Sequence, residues 1–319
     1  MNMPDERFLV TGALGCIGAW TVRVLLERGA HVVGTDVATD DRRLRAITAP
    51  DQLAGLNIER ADISRLDDVV ALVERHAITR VIHLAALQIP FCKADPPLGA
   101  LVNVVGTVNV LEAVKRSAGQ VRSVAYMSSI GMYDAADVAA GAERLAEGAV
   151  AHPPTHYGVY KQANEGSASV YWRDDGVCSV GLRPFIVYGP GRDQGLTSAP
   201  TLAMQAAARG ESYHIPYGGT AVYQFVEDVA ATTIAACVHT SEGARVYNLP
   251  GITARMRDIV EAIEVAEPSA RGRITFDEKP LGLPPDVEAA GIVELVPDVS
   301  STSLGVATAR TVEHFRSGR

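Results

Sequence analysis

Along residues 1–190, short apolar runs alternate with longer stretches whose apolar positions recur at helical spacing. Phe8, Leu9 and Val10 read as a buried strand running into Thr11-Gly12-Ala13-Leu14-Gly15-Cys16-Ile17-Gly18. Ala19, Trp20, Val22, Val24, Leu25 and Leu26 then mark one helix face, and Gly29 stands where that helix would end. Further strands are expected at 31–36, 57–63, 80–86, 121–127 and 177–182, and helices at 66–76, 99–116 and 157–173. Thr155 is placed to cap the last of these. After Pro190 the alternation breaks down and glycine and proline become frequent. The recognisable elements there are a helix at 226–237, a strand at 245–249, a helix at 256–265 and a short terminal helix at 311–316.

Strands alternating with helices predict an α/β fold: a Rossmann-type doubly wound parallel sheet with a smaller C-terminal substrate-binding domain. The expected division is residues 1–189 for the sheet domain, with 226–250 returning to it, and 190–319 for the smaller region. Ligands of such sheets bind beyond the carboxyl ends of the strands. The glycine loop, Asp36, Asp62, Ala85, Ala86, Ser128 and Ser129 all fall there.

With 319 residues, 47% hydrophobic and 21% charged, the chain can bury a sizeable core. Its net charge of -8 argues against a nucleic-acid partner. The basic cluster Arg42, Arg43 and Arg45 is mixed with Asp40 and Asp41 and reads as a solvated helix start. Cys16, Cys92, Cys178 and Cys237 are widely spaced, so neither a metal site nor a disulfide framework is expected, and a reducing, cytoplasmic setting fits. The segment from Met1 to Arg7 lacks the pattern of a targeting signal, and no uninterrupted apolar run approaches membrane-spanning length, so no membrane association is expected.

Strand, glycine loop, helix and strand form a βαβ unit whose helix N-terminus offers unpaired N–H groups to a phosphate. The three glycines serve a tight turn, a close backbone approach to pyrophosphate, and packing of helix on strand. Asp36 ends the second strand, where a carboxylate accepts hydrogen bonds from an adenosine ribose and repels a 2′-phosphate. NAD is therefore favoured over NADP, with Arg42 and Arg43 keeping NADP as the minor alternative. Farther on, Tyr157 and Lys161 stand at i and i+4 of a predicted helix and share a face. A phenol titrates near pH ~10, and a fixed cation nearby favours its ionised form. Taken alone, the pair reads better as surface decoration of an exposed helix. His83, inside an apolar strand, reads as a satisfied core histidine.

Seven segments in this order resemble the extended short-chain dehydrogenase/reductase family, in its NAD-dependent epimerase/dehydratase branch. They are Thr11-Gly12-x-x-Gly15-x-x-Gly18, His83-Leu84-Ala85-Ala86, Asn103-Val104-x-Gly106-Thr107, Ser128-Ser129, Tyr157-x-x-x-Lys161 with Glu165, Arg183-Pro184 and Tyr188-Gly189-Pro190-Gly191. The resemblance covers almost the whole chain. It implies Tyr157 as the acid/base, Lys161 as the cation that lowers the tyrosine pKa and bonds the nicotinamide ribose, and Ser129, with Ser128 as runner-up, orienting the reacting oxygen. It further implies Gly12, Gly15, Cys16, Ile17 and Gly18 at the pyrophosphate, Asp36 at the ribose, and Asp62 and Ile63 at the adenine. Leu84, Ala85, Ala86, Asn103 and Pro184 are expected near the nicotinamide half.

Two departures bear on the substrate. Relatives acting on nucleotide sugars commonly carry Asn where this chain has Ile186, and Arg where it has Ala221. Both family residues contact a nucleotide diphosphate, and charge-assisted bonds to phosphate are the strong ones. The expected reaction is therefore hydride transfer between NAD and a secondary alcohol of a small polar molecule: a sugar, sugar acid, polyol or hydroxy amino acid. A nucleotide-sugar epimerase or dehydratase with tightly bound NAD, with Arg192 or Arg209 as substitute anchor, and a non-catalytic cofactor-binding sensor are the alternatives. Candidate pocket residues are Leu87, Gln88, Cys92, Ser129, Ile130, Ile186, Arg192, Thr197, Ser198 and Tyr223, for several of which core or loop packing is the plainer role. By analogy with relatives, the helices at 99–116 and 157–173 are expected to form a homodimer contact.

Overall fold

A computed structural model describes residues 3–140, 142–299 and 301–318. Met1, Asn2, Gly141, Ser300 and Arg319 lie outside the described residues, and with them those positions of the readings at the N-terminal segment and in the polar stretch 134–150.

Six short segments, all but the polar edge segment Asn57–Arg60 largely buried, become neighbouring parallel strands: β1 (Arg7–Thr11), β2 (His31–Asp36), β3 (Asn57–Arg60), β4 (Arg80–His83), β5 (Ser123–Met127) and β6 (Ser179–Arg183). Three more, β7 (Ile186–Tyr188), β8 (Tyr213–Ile215) and β9 (Thr220–Phe225), precede β10 (Ala244–Asn248), β11 (Ile252–Arg255) and β12 (Ile274–Phe276). The main sheet is seven-stranded and parallel, in the order β10-β6-β5-β4-β1-β2-β3. Chain order reverses between β1 and β4, whose register pairs Thr11 with His83 at the carboxyl end. That switch point is the crevice in which a doubly wound sheet holds its ligand. The fold is Rossmann-like.

Helix Cys16–Glu27 buries Ala19, Trp20, Val22 and Leu25 against helix Val226–His239, while helices Leu66–Arg75 and Gly106–Arg116 cover the opposite face. Helix His156–Asp175 begins at Thr155, whose side chain accepts from Gly158 N at 3.1 Å, as its spacing before the helix implies. It stops at Gly176, which takes a left-handed conformation (φ 68°).

A three-stranded sheet, β11-β9-β7, and the pair β12-β8 make a second layer. They share an apolar cluster with helices Ala199–Ala208, Met256–Ala266 and Leu304–Arg316. Strands β7, β8, β9, β11 and β12 were not expected: most have only three or four residues and a mixed pattern. The terminal helix spans Leu304–Arg316 rather than 311–316, because its buried face begins with the small residues Ala307 and Thr308. β3 ends at Arg60, so Asp62 lies in the following loop, where its carboxylate accepts from Ser64 N. The helix expected from residue 99 starts at Pro96 under an Asp95 cap and passes through a π-helical segment, Leu101–Val105, before Gly106–Arg116. The whole stretch Pro96–Arg116 is 21 residues long and apolar enough to cross a membrane by length and composition, and half of its most apolar window is buried within the fold.

Candidate active site

The glycine loop closes the carboxyl end of β1. Gly12 has a φ of +68°, and a Cβ there would sit 2.7 Å from Ala85 N, so only glycine lets the turn lie against the end of β4. A Cβ on Gly18 would fall 2.0 Å from Gly12 O. Helix Cys16–Glu27 starts at Gly15 with no side-chain cap and no acidic residue in its first turn, which leaves its N-terminal N–H groups to an anion. The Cys16 thiol is pushed up to about 12 by burial, so it takes no charged part in this cradle.

Asp36 closes the other side. Its Oδ2 accepts from Leu14 N (3.1 Å) and its Oδ1 from Ala38 N (3.0 Å), and each oxygen keeps a lone pair for a ribose hydroxyl. Arg43 does not face this site as a free cation. It donates to Leu14 O and pairs with Asp193 at 2.7 Å, and Arg42 reaches the same carboxylate. Ile63 is buried against Gly106, and its carbonyl accepts from Asn109 Nδ2 at 2.9 Å, so its side chain supports the adenine loop from below rather than lining it. These residues fit a dinucleotide whose adenosine ribose carries no 2′-phosphate.

His83 is buried between two threonines: Nδ1 lies 2.7 Å from Thr11 Oγ1 and Nε2 3.1 Å from Thr107 Oγ1. The Thr107 hydroxyl spends its proton on Asn103 O (2.7 Å), so it accepts from Nε2–H. Thr11 Oγ1 accepts from the N–H groups of Leu84 and Ala85 and donates to Nδ1. Burial drives the imidazole pKa down to about 3, with the Lys161 charge adding to the shift, which keeps the ring neutral. His83 is thus a strut fixing the end of β4. Asn103, on the π-helical segment, holds the next stretch: Oδ1 accepts from Leu87 N (2.7 Å), and Nδ2 donates to Leu87 O (2.9 Å) and toward Cys92 Sγ (3.4 Å). Leu84, Ala85, Ala86, Leu87 and Gln88 remain partly exposed along the crevice.

The two adjacent serines separate by role. Ser128 is buried and donates to Glu165, whose carboxylate also binds Arg183 through two bonds of 2.8 and 2.7 Å. Ser129 is partly exposed and accepts from Gly131 N at 2.9 Å, which leaves its O–H free to donate. A Cβ on Gly131 would lie 3.1 Å from Ser129 Oγ and 3.7 Å from the Tyr157 ring, so the glycine keeps open the space the hydroxyl and the phenol share. Lys161 is 4% exposed; its Nζ donates to Met127 O at 2.6 Å and stands 5.5 Å from the Tyr157 ring centroid. Burial pulls the ammonium down to about 8. Burial also raises the Tyr157 phenol, opposed by Ser129 and Arg192. The expected net lowering of the phenol by Lys161 is therefore absent, because desolvation outweighs the Ser129 hydrogen bond and the Arg192 charge.

Of the substrate-side candidates, Ile130 and Ile186 are fully buried in apolar clusters and present no surface to the crevice. Tyr223 is also buried, with a phenol oxygen that has no partner among the described residues. Gln88 and Arg192 meet across Gly195, where a Cβ would lie 2.7 Å from Gln88 Oε1 and 3.9 Å from Arg192 Nη2. Arg192 Nη2 donates to Thr197 Oγ1 at 2.9 Å, while Ser198 is buried and donates to Gly195 O. Pro184 O accepts from Ile130 N beside the serines. Tyr217 and Asp193 were not anticipated: Tyr217 stands alone between Pro216 and two glycines, and Asp193 is one charge in a loop, so neither has a spacing signal.

The family model described as NAD dependent epimerase/dehydratase family matches residues 8–249. UDP-glucose 4-epimerase of Mycolicibacterium smegmatis is 29% identical over 327 residues, covering 97% of this chain and 98% of that protein. D-erythronate dehydrogenase of Cupriavidus necator is 28% identical over 289 residues, covering 85% of each. The solved structure of Thermus thermophilus UDP-glucose 4-epimerase in complex with NAD superposes with a TM-score of 0.81 at 26% identity, covering 98% of this chain and 99% of that one.

Proposed function

This chain belongs to the NAD-dependent epimerase/dehydratase family, and from that premise we propose that it is a dehydrogenase acting on a secondary alcohol of a small polar molecule. NAD is the cofactor. The glycine loop and the first turn of helix Cys16–Glu27 would hold its pyrophosphate, Asp36 its adenosine ribose, and Asp62 would bound its adenine, with Ile63 supporting that loop from below. Leu84, Ala85, Ala86, Asn103, Lys161 and Pro184 would surround its nicotinamide half. When bound, it supplies the two-electron acceptor for the carbinol carbon.

The chain's own residues handle the proton and the oxygen. Ser129, with its acceptor lone pair occupied by Gly131 N–H, donates its hydroxyl hydrogen to the substrate oxygen. Tyr157, as phenolate, takes the hydroxyl proton in oxidation and returns it in reduction. Lys161 has one N–H committed to Met127 O and two left for cofactor hydroxyls. Ser128 and Glu165 stay outside the chemistry, fastening the helix of Tyr157 to β6 through Arg183.

One observation carries the choice of substrate class: Ile186 is 0% and Ala221 5% exposed in a single apolar cluster, where diphosphate-binding relatives place polar and charged anchors. The likeness to D-erythronate dehydrogenase supports the same reading. The test is NAD reduction with sugars, sugar acids, polyols and hydroxy amino acids, with UDP-sugars alongside. Tyr157→Phe should lower turnover by about 10²–10⁴-fold while leaving NAD binding largely intact. Because burial raises the phenol pKa, oxidation should quicken as pH rises toward it.

The second reading, a nucleotide-sugar 4-epimerase, is favoured by the likeness to UDP-glucose 4-epimerases over nearly the whole chain. It requires UDP-sugar conversion without release of NADH. Net NADH formation from a non-nucleotide alcohol would sink it.

A further inference from the structure

Arg192 lies just past β7, half-buried, and meets Gln88, from the loop after β4, across Gly195. Its Nη2 donates to Thr197, its Nε is buried without an acceptor, and among the described residues no carboxylate pairs with it. The charge is felt at Cys16 on the glycine loop, at Tyr157 and at Tyr217. The buried phenol oxygens of Tyr217 and Tyr223 have no partner among the described residues either. Buried cations and hydroxyls without partners are unfavourable until a ligand supplies the missing charge and acceptors. A guanidinium fork matches a carboxylate through two parallel bonds. The apolar burial of Ile186 and Ala221 leaves Arg192 without a second anchor of the kind a diphosphate needs.

We propose that the substrate is a hydroxy acid, whose carboxylate is held by Arg192 while the hydroxyl a short distance along its chain reaches Tyr157 and Ser129. The proposal rests on the dehydrogenase reading and narrows it to the anionic members of the class. Arg192 acts as the specificity-determining residue. The competing anion is the pyrophosphate of NAD, which the glycine loop beside Cys16 would hold.

The test compares matched acids and neutral analogues: erythronate against erythritol, and gluconate against sorbitol. Turnover is measured with NAD, and binding to NADH-loaded protein by calorimetry, for the native chain, Arg192→Lys and Arg192→Met. The expected result is oxidation of at least one acid with its neutral analogue at least 100-fold poorer. Arg192→Met should lower kcat/KM for that acid by about 100-fold, with Arg192→Lys recovering part and NAD affinity unchanged in both. Turnover of the alditol as fast as the acid, or an acid preference that survives Arg192→Met, would overturn the proposal while leaving the dehydrogenase standing. So would loss of NAD affinity in Arg192→Met with the preference unaltered, which would give Arg192 to the pyrophosphate. Failure of every acid to bind at millimolar concentration overturns it as well. Epimerisation of UDP-glucose without NADH release would instead remove the dehydrogenase reading itself.

Discussion

Lys161 shows how far one residue's environment departs from its sequence signal. Its position four residues after Tyr157 implies a cation beside a phenol, and the structure places it there, but burial brings the ammonium from 10.5 to about 8. A lysine whose folded pKa lies below its unfolded value weakens the fold while both states are protonated. That deficit is complete below pH 8 and fades as pH rises toward 10.5, where the unfolded chain also gives up its proton. The shift corresponds to about 3 kcal/mol, from which the bond to Met127 O subtracts about 1 kcal/mol once the side chain is replaced. Lys161→Met should therefore stabilise the cofactor-free protein by about 1–3 kcal/mol in urea melts at pH 7, with the gain shrinking between pH 8 and 10.5. The same variant should lose turnover. A less stable variant at pH 7 would show that the bond to Met127 outweighs the buried charge.

Element by element, the main sheet was legible because strands buried on both faces are continuous apolar runs and their helices carry regular apolar faces. The same rule explains what was not legible. Strands β7, β8 and β12 have three residues each, too few to establish a period. The π-helical segment Leu101–Val105 leaves no mark in apolar spacing, yet it carries Asn103, the side chain that clamps both backbone groups of Leu87. Asn103→Leu strands the Leu87 N–H in a partly buried loop, at about 1–3 kcal/mol, and leaves the Leu87 carbonyl with only the weak Cys92 thiol donor. The expected outcome is a lower urea midpoint together with weaker NAD binding, because Ala85 and Ala86 adjoin the clamped stretch. Unchanged NAD affinity in a destabilised variant would confine Asn103 to a structural role.

At the scale of the whole molecule, the site draws on the loop after β1, the ends of β2, β4 and β5, helix His156–Asp175 and the segment after β7. Residue spacing alone could link Tyr157 to Lys161, but not either of them to Arg192, which reaches the site by tertiary folding of a loop without regular pattern. Also beyond a one-chain reading is the outer surface of the helices beside the site. Leu98, Leu101 and Val105 recur at three- and four-residue intervals along Pro96–Arg116 and are 45%, 43% and 41% exposed. On the neighbouring helix His156–Asp175, Val159 and Val170 are 48% and 42% exposed. Apolar residues in register on two packed helices form a surface suited to association with a second copy, about a two-fold axis that brings the same helices together. We propose that this face closes a homodimer. Leu101→Arg combined with Val105→Arg should shift the mass measured by light scattering from that of a dimer to that of a monomer, with the circular dichroism spectrum retained. A native chain that is monomeric at micromolar concentration, or a double variant that stays dimeric, would show that these helices do not form the contact.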